Sequence, residues 1–186
     1  MDIFTLIASY MPDKELTAQT IMRSITLLTF MIPVGITVAA TVLVGNNVGG
    51  NRIKIGKAYA FMCVKTAALW AIGTLILLVL FKKPFTRVFT EDPGVTEIIW
   101  QAYPVILVYV IFDCLQSTGQ GIIRGLGKQG AASIGTVIGY WVIGIPVAYF
   151  AVFKLDWGIR GLWLGPTLAI MFNFFFYYLM VVRTDW

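Results

Sequence analysis

Long apolar runs separated by short polar stretches are the dominant pattern along this chain. Five of them are long enough to cross a membrane, because a hydrocarbon core of about 30 Å requires roughly 20 apolar residues in a helix. These runs cover residues 21–44, 58–81, 98–118, 131–153 and 162–182. A shorter run, residues 3–11, is either the end of a helix whose beginning is missing or an interfacial segment. The pattern predicts one all-α domain over residues 1–186: a polytopic membrane helix bundle with about five full transmembrane helices and a truncated N-terminal one.

The connections between the runs carry most of the charge. Residues 45–51 (GNNVGGN) are expected to form a loop, and residues 82–94 are the longest connection, with a short interfacial helix predicted inside it. Alternating the loops across the membrane places six basic residues on each side, so the positive-inside rule does not decide the orientation.

Composition supports a membrane protein and argues against several other classes. The chain is 59% hydrophobic and 12% charged, whereas soluble domains average roughly 45–50% apolar and 25% charged residues. The net charge of +5 is scattered over short connections, which does not favour nucleic-acid binding. There is no histidine, and the two cysteines, Cys63 and Cys114, lie inside apolar runs. We therefore expect no enzyme, no catalytic residue, no metal site and no cofactor.

Asp113 is the most informative polar residue, because it lies inside the third apolar run, in the middle of residues 109–117. A charge at such a depth costs about 2.5–3.5 kcal/mol on insertion scales, and it usually faces a partner or a cavity. Tyr109, Gln116 and Gln120 follow helical spacing around it and are expected to share its face. This face suits a site that gains and loses a proton or binds a cation. The alternative is a carboxylate that only stabilises helix packing.

Other intramembrane polar residues have simpler interpretations. Asp2 is a second candidate if residues 3–11 end a span, although an acid at a chain terminus is usually solvated. Lys65 and Arg23 are expected to extend their charges to the membrane surface. Asn173 is expected to face the interior or to pair with another helix, with an interhelical hydrogen bond favoured over contact with a ligand.

Proline and glycine pairs interrupt two of the runs. Pro33 with Gly35, and Gly144 with Pro146, are candidate helix breaks, which in transporters free backbone groups near a binding site. They are equally typical of simple kinks and of close helix packing.

Several strings together resemble the multidrug and toxic compound extrusion (MATE) family. They are residues 31–40 (MIPVGITVAA) followed by 44–50 (VGNNVGG), residues 121–130 (GIIRGLGKQG), and residues 139–147 (GYWVIGIPV) followed by 161–165 (GLWLG). Their order is similar to that in the second half of a eukaryotic-type member. The resemblance implies a twelve-helix antiporter of two lobes, of which this chain would supply part of helix seven and helices eight to twelve.

The resemblance also implies roles for individual residues. Asp113 and Asp2 match positions where members usually have a glutamate, in helices ten and seven, and both would bind the coupling ion and compete with substrate. Tyr140 matches a tyrosine of helix eleven that lines the central cavity. Ser24 stands where some animal members carry a further acid, so the sequence departs from that branch's pattern at this position.

The predicted function is secondary active export of organic cations or xenobiotics by antiport with H⁺ or Na⁺ as the coupling ion and with no cofactor. The expected partners are the lipid bilayer, an organic cation, and a missing N-terminal lobe or second half-unit. The expected location is the plasma membrane or a vacuolar or vesicular membrane. Two alternatives remain: a structural or assembly protein derived from a transporter lobe, and a lipid flippase of related fold. A flippase should line its cavity with several basic residues, and only Lys65 and Arg23 are available.

Overall fold

The computed structural model describes residues 3–184 and 186. Within them the chain is helical and shows no strand. The helices are α1 (Ile3–Ala8), α2 (Asp13–Gly49), α3 (Ile53–Leu80), α4 (Lys82–Phe89), α5 (Pro93–Gly125), α6 (Gln129–Val137), α7 (Ile145–Phe153) and α8 (Gly158–Arg183). A π-helical segment, Ile138–Gly144, joins α6 to α7 without a break in the helix.

Five helices in the described residues are long and apolar enough to cross a membrane. They are α2, α3, α5, α8 and the continuous helix made by α6, the π segment and α7. The predicted all-α membrane bundle is therefore confirmed. The helix α1 lies in the short apolar run at residues 3–11, and α4 is the short helix expected in the connection after α3.

One sequence prediction about α2 is wrong. Residues 45–51 do not form a loop, because α2 continues to Gly49 and the chain turns only at Asn51, whose φ is 56°. The helix persists because Gly45 packs against α5, where a Cβ on Gly45 would lie 3.3 Å from the carbonyl oxygen of Gly125.

Pro33 and Gly35 do not break α2, so the helix break is excluded among the interpretations left open for this pair. Proline has no N–H, so the carbonyl of Thr29 loses its usual helical donor. The indole Nε1 of Trp70, on α3, donates to that carbonyl oxygen at 3.4 Å. A neighbouring helix thus supplies the missing hydrogen bond, which lets the proline remain inside a continuous helix. Gly35 is exposed, and apart from its chain neighbours and its own helical backbone no described atom lies within 4 Å of its would-be Cβ.

The helix α5 is at the centre of the bundle, with α2 and α8 packed on it. It meets α2 at two glycines: a Cβ on Gly121 would lie 2.5 Å from the carbonyl oxygen of Thr37, and one on Gly125 would lie 2.8 Å from that of Thr41. Thr41 also donates its hydroxyl to the Gly121 carbonyl at 3.0 Å. Backbones approach this closely only where side chains are absent, so these glycines set the distance between α2 and α5.

The continuous helix of α6, the π segment and α7 packs along α8. Gly161 of α8 faces Ala151 of α7, where an added Cβ would lie 2.9 Å from the Ala151 carbonyl carbon. Further along, Gly139 of the π segment lies against Asn173 of α8, with 2.7 Å between the would-be Cβ and Oδ1. Small residues thus hold this pair together as they hold α2 and α5.

Candidate functional site

Asp113 lies two-thirds of the way along α5, inside a helix that is long and apolar enough to span the membrane. Its side chain is half-buried, and Nε2 of Gln116 donates to its Oδ1 at 3.4 Å. Within residues 3–184 and 186, no basic nitrogen lies within 4.0 Å of this carboxylate. A charged carboxylate so placed is costly, and binding a proton or a cation would remove that cost.

Gln120, one turn after Gln116, connects α5 to two other helices. Its Nε2 donates to Oγ1 of Thr136 at 3.3 Å, and that hydroxyl lies 2.7 Å from the hydroxyl of Tyr177. Tyr177 is fully buried and donates to the Ala132 carbonyl at 2.9 Å. The polar face of α5 is thus tied to α6 and α8, which fixes the rotation of α5 about its axis.

Tyr109 lines a cavity of about 120 Å³ between α1, α2, α5 and α8. Its ring meets that of Trp163 edge to face at 5.2 Å, and Trp163 Nε1 donates to Oε1 of Gln19 at 2.7 Å. Asp113 lies one turn beyond Tyr109, about 6 Å along the helix axis, and does not line this cavity. Drug-sized ligands occupy pockets of about 300–1,000 Å³, so this space admits waters or a small ion.

Arg23 lines the same cavity, which differs from its expected position at the membrane surface. It is half-buried and donates from Nη1 to the hydroxyl of Thr5 on α1 at 3.2 Å. Hydropathy alone places it near the start of a span, but α2 begins eight residues before the predicted run and carries Arg23 into the bundle. Lys65, by contrast, is exposed, and its Nζ lies 4.4 Å from the ring centroid of Phe61.

Tyr140 lies in the π segment and is half-buried. The segment ends at Gly144, and Pro146 stands in the first turn of α7, so the change from π to α geometry falls at the predicted pair. Such π segments frequently occur at functional sites. Asn173 faces this segment from α8. It is 1% exposed, and its Oδ1 accepts no hydrogen bond from the described residues, contrary to the interhelical bond expected of it.

The remaining predicted site residue, Asp2, lies outside the described residues. Among those that are described, no three His, Cys, Asp or Glu side chains are grouped so that they could bind a metal ion. Sequence reasoning did not single out Gln19, Thr136, Trp163 or Tyr177, which build the cavity and the network. In the sequence these four residues differ from their surroundings only in being polar or amphipathic. Such residues are frequent in membrane helices that pack together, so they do not by themselves indicate a site.

Comparison with solved structures gives the fold of this chain. It superimposes on the eukaryotic MATE transporter AtDTX14 with a TM-score of 0.94 and 23% sequence identity, covering 99% of this chain and 42% of that one. A MATE protein solved in a bent conformation gives a TM-score of 0.90 with 16% identity, covering 98% of this chain and 41% of that one.

Comparison with curated sequences gives relatives among animal transport proteins. The chain is 31% identical to multidrug and toxin extrusion protein 2 of Mus musculus over 185 residues, which is 100% of this chain and 32% of that protein. It is 29% identical to multidrug and toxin extrusion protein 1 of Homo sapiens, over 92% of this chain and 30% of that protein. The chain thus spans about a third of the length of these relatives. The MatE family model matches residues 2–150, and the chain therefore belongs to the MatE family of multidrug and toxin extrusion transporters.

Proposed function

We propose that this chain is the C-terminal lobe of a transporter that exports organic cations in exchange for H⁺ or Na⁺, with Asp113 binding the coupling ion. The observation that carries the proposal is the position of Asp113: a half-buried carboxylate inside a spanning helix, with a glutamine as hydrogen-bond donor and no cation partner among the described residues. Asp2, which matches a second acid of the family, would contribute to the same coupling.

The substrate would bind between this lobe and another one. The cavity that Tyr109 lines, of about 120 Å³, is too small for a drug-sized cation. A larger space requires a second wall, which fits a chain that spans about a third of its relatives' length. In transporters built from repeats, the site lies at the interface of the two halves, and one half rocks against the other. Tyr109 and Tyr140 would offer aromatic faces to the cation there.

Proton binding and substrate binding would compete at Asp113. The carboxylate attracts an organic cation only when it is charged, and protonation removes that attraction. A proton arriving from the acidic side therefore releases the cation, and loss of the proton on the other side restores the site. Gln116 would hold the carboxylate in position in both states through its amide.

Flippase activity is less well supported than antiport. Of the two basic residues available for a lipid phosphate, Arg23 lines the small cavity and Lys65 is exposed beside Phe61. They do not line one cavity, so they do not make a shared phosphate site.

The test is uptake of a fluorescent organic cation into vesicles that contain this chain joined to a first lobe, under an imposed H⁺ or Na⁺ gradient. Asp113→Asn should abolish gradient-driven uptake, and Asp113→Glu should retain it. Asp92→Asn is the matched control, because Asp92 lies outside the spans and asparagine also caps helices well. Uptake that survives in Asp113→Asn would overturn the role of this carboxylate. No uptake at all from correctly inserted protein would favour the structural or assembly role.

A further inference from the structure

A large cavity lies at the angle between α4 and α5, at the end of the bundle and away from Asp113. It has a volume of about 670 Å³, and its lining includes Lys83 and Arg87 of α4 and Glu97 of α5, together with Glu91 of the connection between them. We call it the α4–α5 cavity. Its volume falls within the range of pockets that bind small ligands.

The walls of the α4–α5 cavity are held in place by contacts that leave its charges free. Thr86 of α4 is 1% exposed and accepts a hydrogen bond from Nε1 of Trp100 on α5 at 3.3 Å. Nζ of Lys82 lies 4.8 Å from the ring centroid of Trp100 and 5.0 Å from that of Tyr103. These contacts fix α4 across the start of α5. The angle between α4 and α5 is therefore fixed by contacts within the chain.

The two signs of charge occupy different walls. Lys83 and Arg87 are four residues apart, so both point from one face of α4. Glu91 and Glu97 come from the connection and from the second turn of α5. Within the described part of the chain, neither acid lies within 4.0 Å of either base. Opposite charges that line one cavity without pairing leave room for a molecule that carries both charges.

The cavity lies where such molecules are concentrated. The helix α4 joins the ends of two spanning helices, α3 and α5, and therefore lies at the membrane boundary. Its Phe85 and Phe89 pack on the core, and Val88 is 81% exposed. A short helix with an apolar side and a basic side is typical of the membrane–water interface.

The chemistry of the walls selects among zwitterionic groups. A guanidinium and an ammonium bind a phosphate, with the guanidinium able to make two parallel hydrogen bonds. Carboxylates accept hydrogen bonds from a primary ammonium, which has N–H groups, whereas a quaternary ammonium has none. A quaternary group would instead need an aromatic face, and Lys82 already lies over the indole of Trp100.

We propose that the α4–α5 cavity binds a phosphoethanolamine group, with its phosphate at Lys83 and Arg87 and its primary ammonium at Glu91 and Glu97. The group belongs either to a membrane phospholipid or to a free molecule. The proposal does not depend on what the protein transports, since it rests on charges at the opposite end of α5 from Gln120.

The test measures thermal unfolding of the purified chain in detergent while lipids with identical acyl chains are titrated. Phosphatidylethanolamine should stabilise the protein at lower concentration than phosphatidylcholine or phosphatidylglycerol. Glu97→Gln should weaken apparent binding of phosphatidylethanolamine by about tenfold, the loss expected for one charge-assisted hydrogen bond, and should leave phosphatidylglycerol unaffected. Arg87→Gln should weaken binding of both lipids.

Lys54→Gln and Asp156→Asn are matched controls, because Lys54 is exposed in the first turn of α3 and Asp156 is exposed in the connection between α7 and α8. If Glu97→Gln fails to fold, Glu91→Gln tests the same wall. Soluble phosphoethanolamine that binds more weakly than the phospholipid assigns the site to a lipid, and equal binding assigns it to the free molecule. Equal stabilisation by all three lipids without an effect of Glu97→Gln, or a preference for phosphatidylglycerol, would overturn the proposal.

Discussion

The closest approach of α2 and α5 gives the sharpest test of the packing. Gly121→Ala would place a methyl carbon 2.5 Å from the carbonyl oxygen of Thr37 and 3.1 Å from Cγ2 of the same residue. Carbon and oxygen atoms in ordinary close contact are about 3.3–3.6 Å apart. The two helices would therefore have to separate by about 0.8 Å at this point.

The cost of that separation follows from three contributions. Overpacking costs about 1–3 kcal/mol. The hydrogen bond from Thr41 to the Gly121 carbonyl, 3.0 Å long, would be stretched, and part of its net value of about 0.5–1.5 kcal/mol would be lost. Alanine regains up to about 1 kcal/mol of helix propensity over glycine. We expect Gly121→Ala to lower the free energy of unfolding by about 1–3 kcal/mol.

The assay is equilibrium unfolding of the purified chain in mixed detergent micelles, with Gly35→Ala as the matched control. Gly35 also lies in α2, but no described atom outside its chain neighbours and its own helical backbone lies within 4 Å of its would-be Cβ. Alanine there should therefore leave the stability unchanged or raise it by up to about 1 kcal/mol. If Gly121→Ala were as stable as Gly35→Ala, the close contact between α2 and α5 would be refuted.

Three further predictions use the same unfolding assay. Trp70→Phe should lower the free energy of unfolding by about 1 kcal/mol, the usual net value of a hydrogen bond. The loss should be smaller in a Pro33→Ala background, where residue 33 again donates to the Thr29 carbonyl. An equal loss in both backgrounds would contradict the role of Trp70. Tyr177→Phe should lower the free energy of unfolding by about 1–2 kcal/mol, because Thr136 and the Ala132 carbonyl each lose a hydrogen-bond partner. An unchanged stability would contradict this hydrogen-bond network. The N–H of Gly94 lowers the pKa of Asp92 below its ordinary value of 3.8, with smaller contributions from Val95 and Lys14. The stability that Asp92 provides is therefore complete above pH 3.8 and is lost as the pH falls further. Asp92→Ala should be less stable than wild type at pH 7, and this difference should vanish in strong acid; a difference that persisted there would contradict the capping role.

Apolar run length alone was enough to predict the five spanning helices, and the mixture of apolar and basic residues in the longest connection was enough to predict the short helix α4. Run length reports how much of a helix prefers lipid, but not where the helix ends. This is why α2 begins at Asp13 and ends at Gly49, well outside residues 21–44. The glycines and asparagines at 45–51 are typical of a loop. Gly45 instead packs against Gly125 of α5, which is 80 residues away in sequence.

The site was only partly predictable for the same reason. Helical spacing places Gln116 beside Asp113, and this contact is local. The partner of Gln120 is Thr136, and the partner of Trp163 is Gln19, 144 residues away. No spacing rule links such pairs, because they depend on which helices are neighbours. The position of the Arg23 side chain was predicted wrongly for the same reason, because only the position of α1 shows that this side chain points inward to Thr5.

The most direct test of the central claim is proton movement caused by the substrate. The chain is joined to a first lobe and reconstituted in vesicles that contain a pH-sensitive dye, and an organic cation is then added outside. If the coupling ion is H⁺, proton efflux is expected when the cation enters, with equal efflux in Asp92→Asn and none in Asp113→Asn. If the ion is Na⁺, a Na⁺-sensitive dye should report the same pattern. Proton efflux of wild-type size in Asp113→Asn would contradict the assignment of Asp113 as the residue that couples the two movements.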